Sequence, residues 1–165
     1  MVYSIFVFNT KRIEQVDPRA LLTAITASNY YTLCDQYGLD PALIEPTLAA
    51  LKVIDGGQEL ADYFVLEYRP QGRCPIVVYL QEPSIIEEKD LSRLRESAPQ
   101  AICEVLDDLA QVVQIELDEE QLSDLGLLLG YELGRCAAES GKGVVLGLDG
   151  TWYHLNRHKA FLPVV

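Results

Sequence analysis

Hydrophobic side chains occupy both alternating faces of the first segment of the chain, residues 2–8. Ser4 is the one polar exception in this run. A strand that is covered on both sides has this pattern, because neither of its faces meets water. The pattern therefore predicts a central strand at residues 2–8.

Three later segments alternate with the same two-residue period. Residues 62–69 and 74–81 flank a turn at Gln71-Gly72, which predicts a β-hairpin. Residues 112–117 carry apolar side chains on one face and polar side chains on the other, which predicts a half-covered strand. From these faces we expect the strands at 2–8 and 74–81 to be central, and the other two strands to form sheet edges.

A first helix is predicted between Asp17-Pro18, which supplies an N-cap and a proline at the first helical position, and Gly38. Its apolar residues recur at spacings of three and four, as one buried helix face requires. They are Ala20, Ala24, Ala27, Tyr31 and Cys34.

Two further helical segments follow. A short helix begins at Asp40-Pro41 and is kinked by Pro46, and Asp55-Gly56-Gly57 then indicates a loop. Residues 88–110 have helical periodicity with an interruption at Pro99.

Over residues 1–117 the predicted order is strand, helices, strand, strand, helix, strand. This order predicts an α+β fold with a ferredoxin-like split β-α-β core. Residues 118–165 extend that core with one long helix and a C-terminal β-hairpin. Since no linker or internal repeat interrupts the chain, residues 1–165 are predicted to form a single globular domain.

The long helix carries Gly126, Gly130 and Gly134 at intervals of four residues. Each glycine costs a helix about 1 kcal/mol relative to alanine, so a compensating contact is needed. We predict that this glycine strip allows close packing of a helix or sheet, which belongs either to the same chain or to a second copy. The residues predicted to face water are mainly Asp124, Leu128, Tyr131, Glu132, Arg135 and Glu139.

The helix ends on Gly141-Lys142-Gly143, which does not fit a phosphate-binding loop. A Walker motif places four residues between its first glycine and Gly-Lys, and it precedes a helix. Here six residues separate Gly134 from Gly141, and the sequence follows the helix. A membrane span is not expected either, because Glu132 and Arg135 interrupt an apolar run much shorter than about 20 residues.

Asp149-Gly150 is a strong signal for a two-residue hairpin turn. Such a turn pairs Gly147 with Trp152, Leu146 with Tyr153, and Val145 with His154. Trp152 and His154 would then share one face of the hairpin, with Val145. The residues predicted to point toward the core are Leu146, Leu148, Tyr153 and Leu155.

Both histidines lie in this C-terminal region. The spacing of His154 and His158 suits a metal ion only on a helix, since an extended strand separates them by about 13 Å. Because the hairpin favours a strand, no metal site is predicted. His158 belongs instead to the basic segment Asn156-Arg157-His158-Lys159, which forms either a solvated turn or a binding site for an acidic group.

The charge of the chain narrows the classes of partner. The formal net charge is −12 over 165 residues, which disfavours nucleic acids and anionic membranes. A basic partner or a small molecule is favoured. The acidic runs, such as Glu87-Glu88-Lys89-Asp90, form either a solvated surface or a docking face for a cationic partner.

No stretch of the sequence carries a catalytic motif or predicts a cofactor. None of the serines lies in a Gly-x-Ser-x-Gly setting, and the four cysteines form no Cys-x-x-Cys pair. Scattered cysteines are typical of small buried apolar residues in a reducing compartment. The N-terminus has no positive region before its apolar run, so no signal peptide is expected. We therefore expect a cytoplasmic protein.

Three functions are open. The preferred one is a non-catalytic binding protein that recognises a basic macromolecule, as an inhibitor or immunity-type partner. In general outline the chain is similar to small acidic immunity proteins, although no diagnostic motif assigns it to a family. The alternatives are a small-molecule sensor or enzyme near the C-terminal hairpin, and a homo-oligomeric subunit joined through the glycine strip or an edge strand. The candidate binding residues are Trp152, Tyr153, His154, Arg157 and His158.

Overall fold

The computed structural model describes residues 1–14, 34–35, 38–57 and 62–165. Within these residues eight strands form one antiparallel sheet in the order β2-β3-β4-β5-β1-β6-β7-β8. The strands are β1 (Val2–Asn9), β2 (Lys52–Gly57), β3 (Asp62–Glu67), β4 (Ile76–Gln81), β5 (Gln111–Asp118), β6 (Gly143–Leu146), β7 (Trp152–Leu155) and β8 (Phe161–Pro163).

Helices lie on both faces of the sheet. In the described part of the chain they are α1 (Ile44–Ala50), α2 (Glu88–Ser97), α3 (Gln100–Asp107) and α4 (Gly126–Gly141). The α4 face buries the larger core, in which Ile5 and Ile115 pack with Leu129. The α3 face buries a smaller core that contains Phe8 and Ile102. Successive side chains of β1 therefore enter different cores, as the two-residue period of a strand requires.

The α+β class is confirmed, and so are the strand at the N-terminus, the hairpin β3–β4 and the long glycine-bearing helix. The helical segment at 88–110 is interrupted where predicted, since α2 ends at Ser97 and Pro99 is the N-cap residue of α3. The first predicted helix lies mostly in residues 15–33, outside the described part. Cys34, the last residue of its stripe, is buried.

The ferredoxin-like core is not confirmed, because the strand order differs. A ferredoxin-like sheet places its first strand between the third and the fourth. Here β5 lies between β4 and β1, and the second neighbour of β1 is β6 from the C-terminal extension. After β4 the chain passes through α2 and α3 and returns as β5, which pairs antiparallel with β4 itself. The apolar pattern of a single strand does not determine which strand it pairs with.

The prediction of edge positions for β3 and β5 was also wrong. Both strands have neighbours on two sides, and the described edges are β2 and β8, which the sequence pattern missed. The predicted loop Asp55-Gly56-Gly57 is the irregular end of β2, where the register with β3 shifts. An edge strand tolerates such a bulge because only one of its sides is paired.

The C-terminal hairpin has a register one residue away from the prediction. Val145 pairs with Tyr153, and Leu146 pairs with Trp152. Residues 147–151 form the loop, in which the Gly147 amide donates to the Thr151 carbonyl at 2.9 Å. Leu146 therefore lies on the α3 face with Trp152, and Val145 enters the core beneath α4. A one-residue slip moves every side chain of a strand to the opposite face.

Candidate functional site

The structure separates the residues that were predicted to form one binding face. Trp152 is buried, with 7% of its surface exposed, and its ring centroid lies 5.4 Å from that of Phe8. Val164 packs against the same core, and its amide donates to the Trp152 carbonyl at 2.8 Å. Trp152 is thus a core residue and not part of an accessible surface.

Tyr153 lies on the opposite face of β7. Its ring packs against those of Tyr131 and Phe161, with centroids 6.4 and 5.3 Å away. These aromatic rings extend the core beneath α4. The structure therefore does not bring Tyr153 together with His154.

The basic segment after β7 is a polar turn built around Asn156. The Asn156 Oδ1 atom accepts hydrogen bonds from the amides of His158 at 2.8 Å and Ala160 at 3.2 Å. The exposed Arg157 donates from Nε to the His158 Nε2 atom at 3.0 Å. His154 lies on β7, which ends just before this turn, and no group of three possible metal ligands occurs among the described residues.

His154 lines a cleft of about 510 Å³ between the C-terminal hairpin, α3 and the end of α4. We call it the hairpin cleft. Its polar lining consists of Glu139, Lys142, His154 and Lys159, and its apolar lining includes Ile102, Val105, Val144 and Leu155. The sequence did not predict that Lys142, at the end of α4, lines the same cleft as His154.

A second concavity, of about 400 Å³, lies between the sheet and α2. We call it the α2 groove. Its apolar lining consists of Phe6, Phe8, Ile85, Ile86, Leu94, Val112 and Leu146, and its polar lining of Gln81, Glu87, Asp90 and Gln114. Of these described lining residues, the charged ones are both carboxylates, Glu87 and Asp90.

The α2 groove continues into a row of directly paired residues across the sheet. Strand pairing places Tyr63 opposite Tyr79, Tyr79 opposite Gln114, Gln114 opposite Phe6, and Phe6 opposite Leu146. The rings of Tyr63 and Tyr79 are 6.0 Å apart, and Tyr63 is 37% exposed. The residues of this cross-strand row are all partly exposed, so this part of the sheet face is accessible to solvent in part.

The sequence missed this surface, although a signal for it was present. The polar residues Gln114 and Glu116 on one face of β5 predict an edge strand when the sequence is considered alone. They mark a central strand whose second face is only partly covered at these positions, since Gln114 and Glu116 are half-buried. One-sided polarity in antiparallel sheets is typical of a solvent-facing side.

A network of polar side chains connects the end of β3 to the start of α4. The Asp124 carboxylate accepts hydrogen bonds from the Tyr68 hydroxyl at 2.9 Å, from Arg69 Nη2 at 2.6 Å and from the Gly126 amide at 2.7 Å. Burial, with the Asp124 charge as a second cause, raises the pKa of Tyr68 well above its usual value. Because these groups bind one another, the network holds α4 against the sheet.

The outer face of α4 is less exposed than predicted. Leu128 and Glu132 are buried, and the Glu132 carboxylate pairs with Arg135 at 3.0 Å. The glycine strip faces the sheet of the same chain, since Gly130 lies against Leu117 and Ile5, and Gly134 against Ile115. The strip is thus occupied and does not offer a surface to a second copy.

All four cysteines are free thiols, and Cys136 on α4 is buried. Burial raises the pKa of Cys136 to about 11, while Arg135 lowers it and Glu132 and Glu139 raise it. The thiol therefore remains protonated and weakly nucleophilic at neutral pH.

We expect this thiol to make the protein less stable at alkaline pH. Between about pH 9 and pH 11 the native thiol keeps a proton that the unfolded chain loses, so the free energy of unfolding falls as the pH rises. The loss approaches about 1.4 kcal/mol per pH unit within that window. Urea unfolding at pH 8, 9 and 10 measures it, and Cys136→Ala should flatten the dependence. Parallel pH curves for the two proteins would contradict the expectation.

Together the described elements define an α+β protein with an open antiparallel sheet, beside which lie the hairpin cleft and the α2 groove. No protein-family model, curated protein or solved structure matches the chain in sequence or structure comparisons. Among the described residues no helix has both the length and the apolar character to cross a membrane.

Proposed function

We propose that the protein is a non-catalytic binding protein whose α2 groove and cross-strand row recognise a basic macromolecular partner. One observation carries this proposal: the groove has a largely apolar lining, and the charged residues of its described lining, Glu87 and Asp90, are both carboxylates. An exposed apolar patch with a polar rim is typical of a protein interface. A cationic segment of a partner protein that also carries apolar side chains would match both the apolar and the acidic lining of the groove.

The carboxylates of the rim are free to change partners. Glu87 pairs with Lys89 at 2.7 Å and Asp90 with Arg93 at 3.6 Å, but these side chains are at least half exposed. Exposed ion pairs contribute about 0 to 1 kcal/mol, so an incoming lysine or arginine can replace the local partner. The net charge of −12 adds a long-range attraction for such a segment.

Tyrosines extend the surface beyond the groove. Tyr63 and Tyr79 offer large apolar rings with polar hydroxyls at low conformational cost, which suits a protein interface. Exposed Ile85, with 60% of its surface accessible, adds an aliphatic contact at the groove wall. This surface supports the role of an inhibitor or immunity-type partner in the cytoplasm, where free thiols such as those of this chain persist.

The proposal is tested with a model peptide of alternating leucine and lysine clusters, and with its glutamate counterpart of equal apolar content. We expect the cationic peptide to perturb the amide NMR signals of Phe6, Ile85 and Tyr79. We also expect Ile85→Ser to weaken its binding about tenfold. Leu162→Ser is the matched control, because Leu162 is a similarly exposed aliphatic residue on β8.

The charge contribution is tested separately with the double variant E87Q/D90N. We expect weaker binding of the cationic peptide, with a smaller salt dependence. The control E104Q/D108N removes the same charge from exposed positions at α3, outside the groove. Equal losses in both double variants, or peptide signals away from the groove, would overturn the proposal.

A further inference from the structure

The described lining of the hairpin cleft shares no residue with that of the α2 groove. The two linings differ in charge, because the α2 groove carries carboxylates and the hairpin cleft carries lysines. Two lysines and a histidine line it, in a chain that has 25 acidic and 13 basic residues. We infer that the cleft is a second binding site, which takes a small amphipathic carboxylate. This inference does not rest on the proposed function.

The cationic character of the cleft survives its internal ion pairs. Glu139 is the carboxylate among its described lining residues, and it pairs with Lys159 at 2.5 Å and with Arg135 at 3.4 Å. Lys142 is exposed and belongs to the same lining. One ammonium group therefore remains in excess over the carboxylate of the lining, and His154 can donate a further hydrogen bond.

The end of α4 does not cancel this attraction. The last carbonyls of a helix carry a partial negative charge that repels anions. Here the Gly141 carbonyl accepts from the Lys11 amide at 2.9 Å, and the Lys142 carbonyl accepts from the Thr10 hydroxyl at 2.9 Å. The Ala138 carbonyl accepts from the Lys142 amide. These carbonyls are thus engaged with groups of the same chain.

The remaining lining selects a ligand with an apolar tail. Ile102 and Val105 of α3 form one side of the cleft, and Val144 and Leu155 of the hairpin form another. A volume of about 510 Å³ is within the range of small-molecule sites. A ligand whose carboxylate binds Lys142 and His154, and whose aliphatic chain lies between the apolar walls, matches both the cationic and the apolar part of the lining.

Octanoate is the probe, with octanol as its neutral counterpart and acetate as the anion without a tail. We expect octanoate to bind with a Kd of about 1 mM or tighter and to perturb the amide NMR signals of Val105, Val144 and His154. Octanol and acetate should each bind at least about tenfold more weakly, because each lacks one of the two contacts.

Variants assign the effect to the cleft. We expect K142Q/H154Q to weaken octanoate binding at least about tenfold, and K89Q/R93Q, which removes exposed cations on α2, to leave it within about twofold. His154→Ala alone, with the native circular dichroism spectrum as a check on folding, provides a second measurement. Equal affinity for octanoate and octanol, signals confined to the α2 groove, or no binding at all would each overturn the inference. None of these outcomes bears on binding of the cationic peptide.

Discussion

Replacing Gly143 with alanine should destabilise the protein by about 3 kcal/mol, measured as the free energy of unfolding in urea. A Cβ atom at this position would lie 2.5 Å from the Phe8 carbonyl oxygen of β1 and would overlap the Asn9 amide group. Because β1 is paired with both β5 and β6, its backbone cannot move without breaking one of these ladders. The Asn9 side chain is fully buried and cannot turn outward.

Gly134→Ala is the matched control. A Cβ there would meet Ile115, Ile5 and Val145 at 3.6 Å, which is ordinary van der Waals contact. Alanine also favours the helix over glycine by about 1 kcal/mol, so we expect this variant to be as stable as the parent protein or more so. If Gly143→Ala unfolded at the same urea concentration as the parent, this result would contradict the close approach of β6 to β1 at Gly143.

These glycines illustrate what a sequence pattern contains. The spacing of Gly126, Gly130 and Gly134 predicted a close contact along α4, and the strip does face the sheet. The pattern gave these three glycines equal weight, whereas a Cβ atom at Gly134 would have ordinary contacts at 3.6 Å and one at Gly126 would lie 2.5 Å from the Tyr68 hydroxyl. The periodicity shows which face of a helix carries small residues, but the distance from that face to the neighbouring strand depends on the fold.

The same distinction explains the strand predictions. Alternation predicted where β1, β3, β4 and β5 lie, because it is a property of each strand alone. The neighbours of a strand depend on how the chain returns, and β5 inserts between β4 and β1 by pairing with both. The α2 groove was missed for the same reason, since its lining joins Phe6 and Leu146 with the distant Leu94 of α2.

The predicted register of the hairpin is wrong by one residue, and Trp152 of the predicted binding face is buried against Phe8. A two-residue turn at Asp149-Gly150 would pair Gly147 with Trp152, but the observed five-residue loop pairs Leu146 with it. Leu146 and Trp152 then share the α3 face with Phe8. His154 remains on the same side of β7 as Trp152, and it lines the hairpin cleft.

Trp152→Ala should therefore destabilise the protein by about 3 to 5 kcal/mol, the range for loss of a large buried aromatic side chain. The reason is the cavity that would open between Phe8, Ile102 and Val144, which share its core. Because Trp152 is the one tryptophan of the chain, the variant is followed by circular dichroism during urea unfolding. In the parent protein its fluorescence should shift to longer wavelength on unfolding.

Trp152→Phe tests whether the stability lost in Trp152→Ala comes from lost packing in the core. Phenylalanine keeps a ring against Phe8, so it should recover more than half of the stability that alanine loses. If Trp152 lay at the surface, the loss would be smaller, since substitutions of surface residues usually change the free energy of unfolding by no more than about 0.5 kcal/mol. A loss of that size in Trp152→Ala would place the tryptophan outside the core and restore it as a candidate for partner binding.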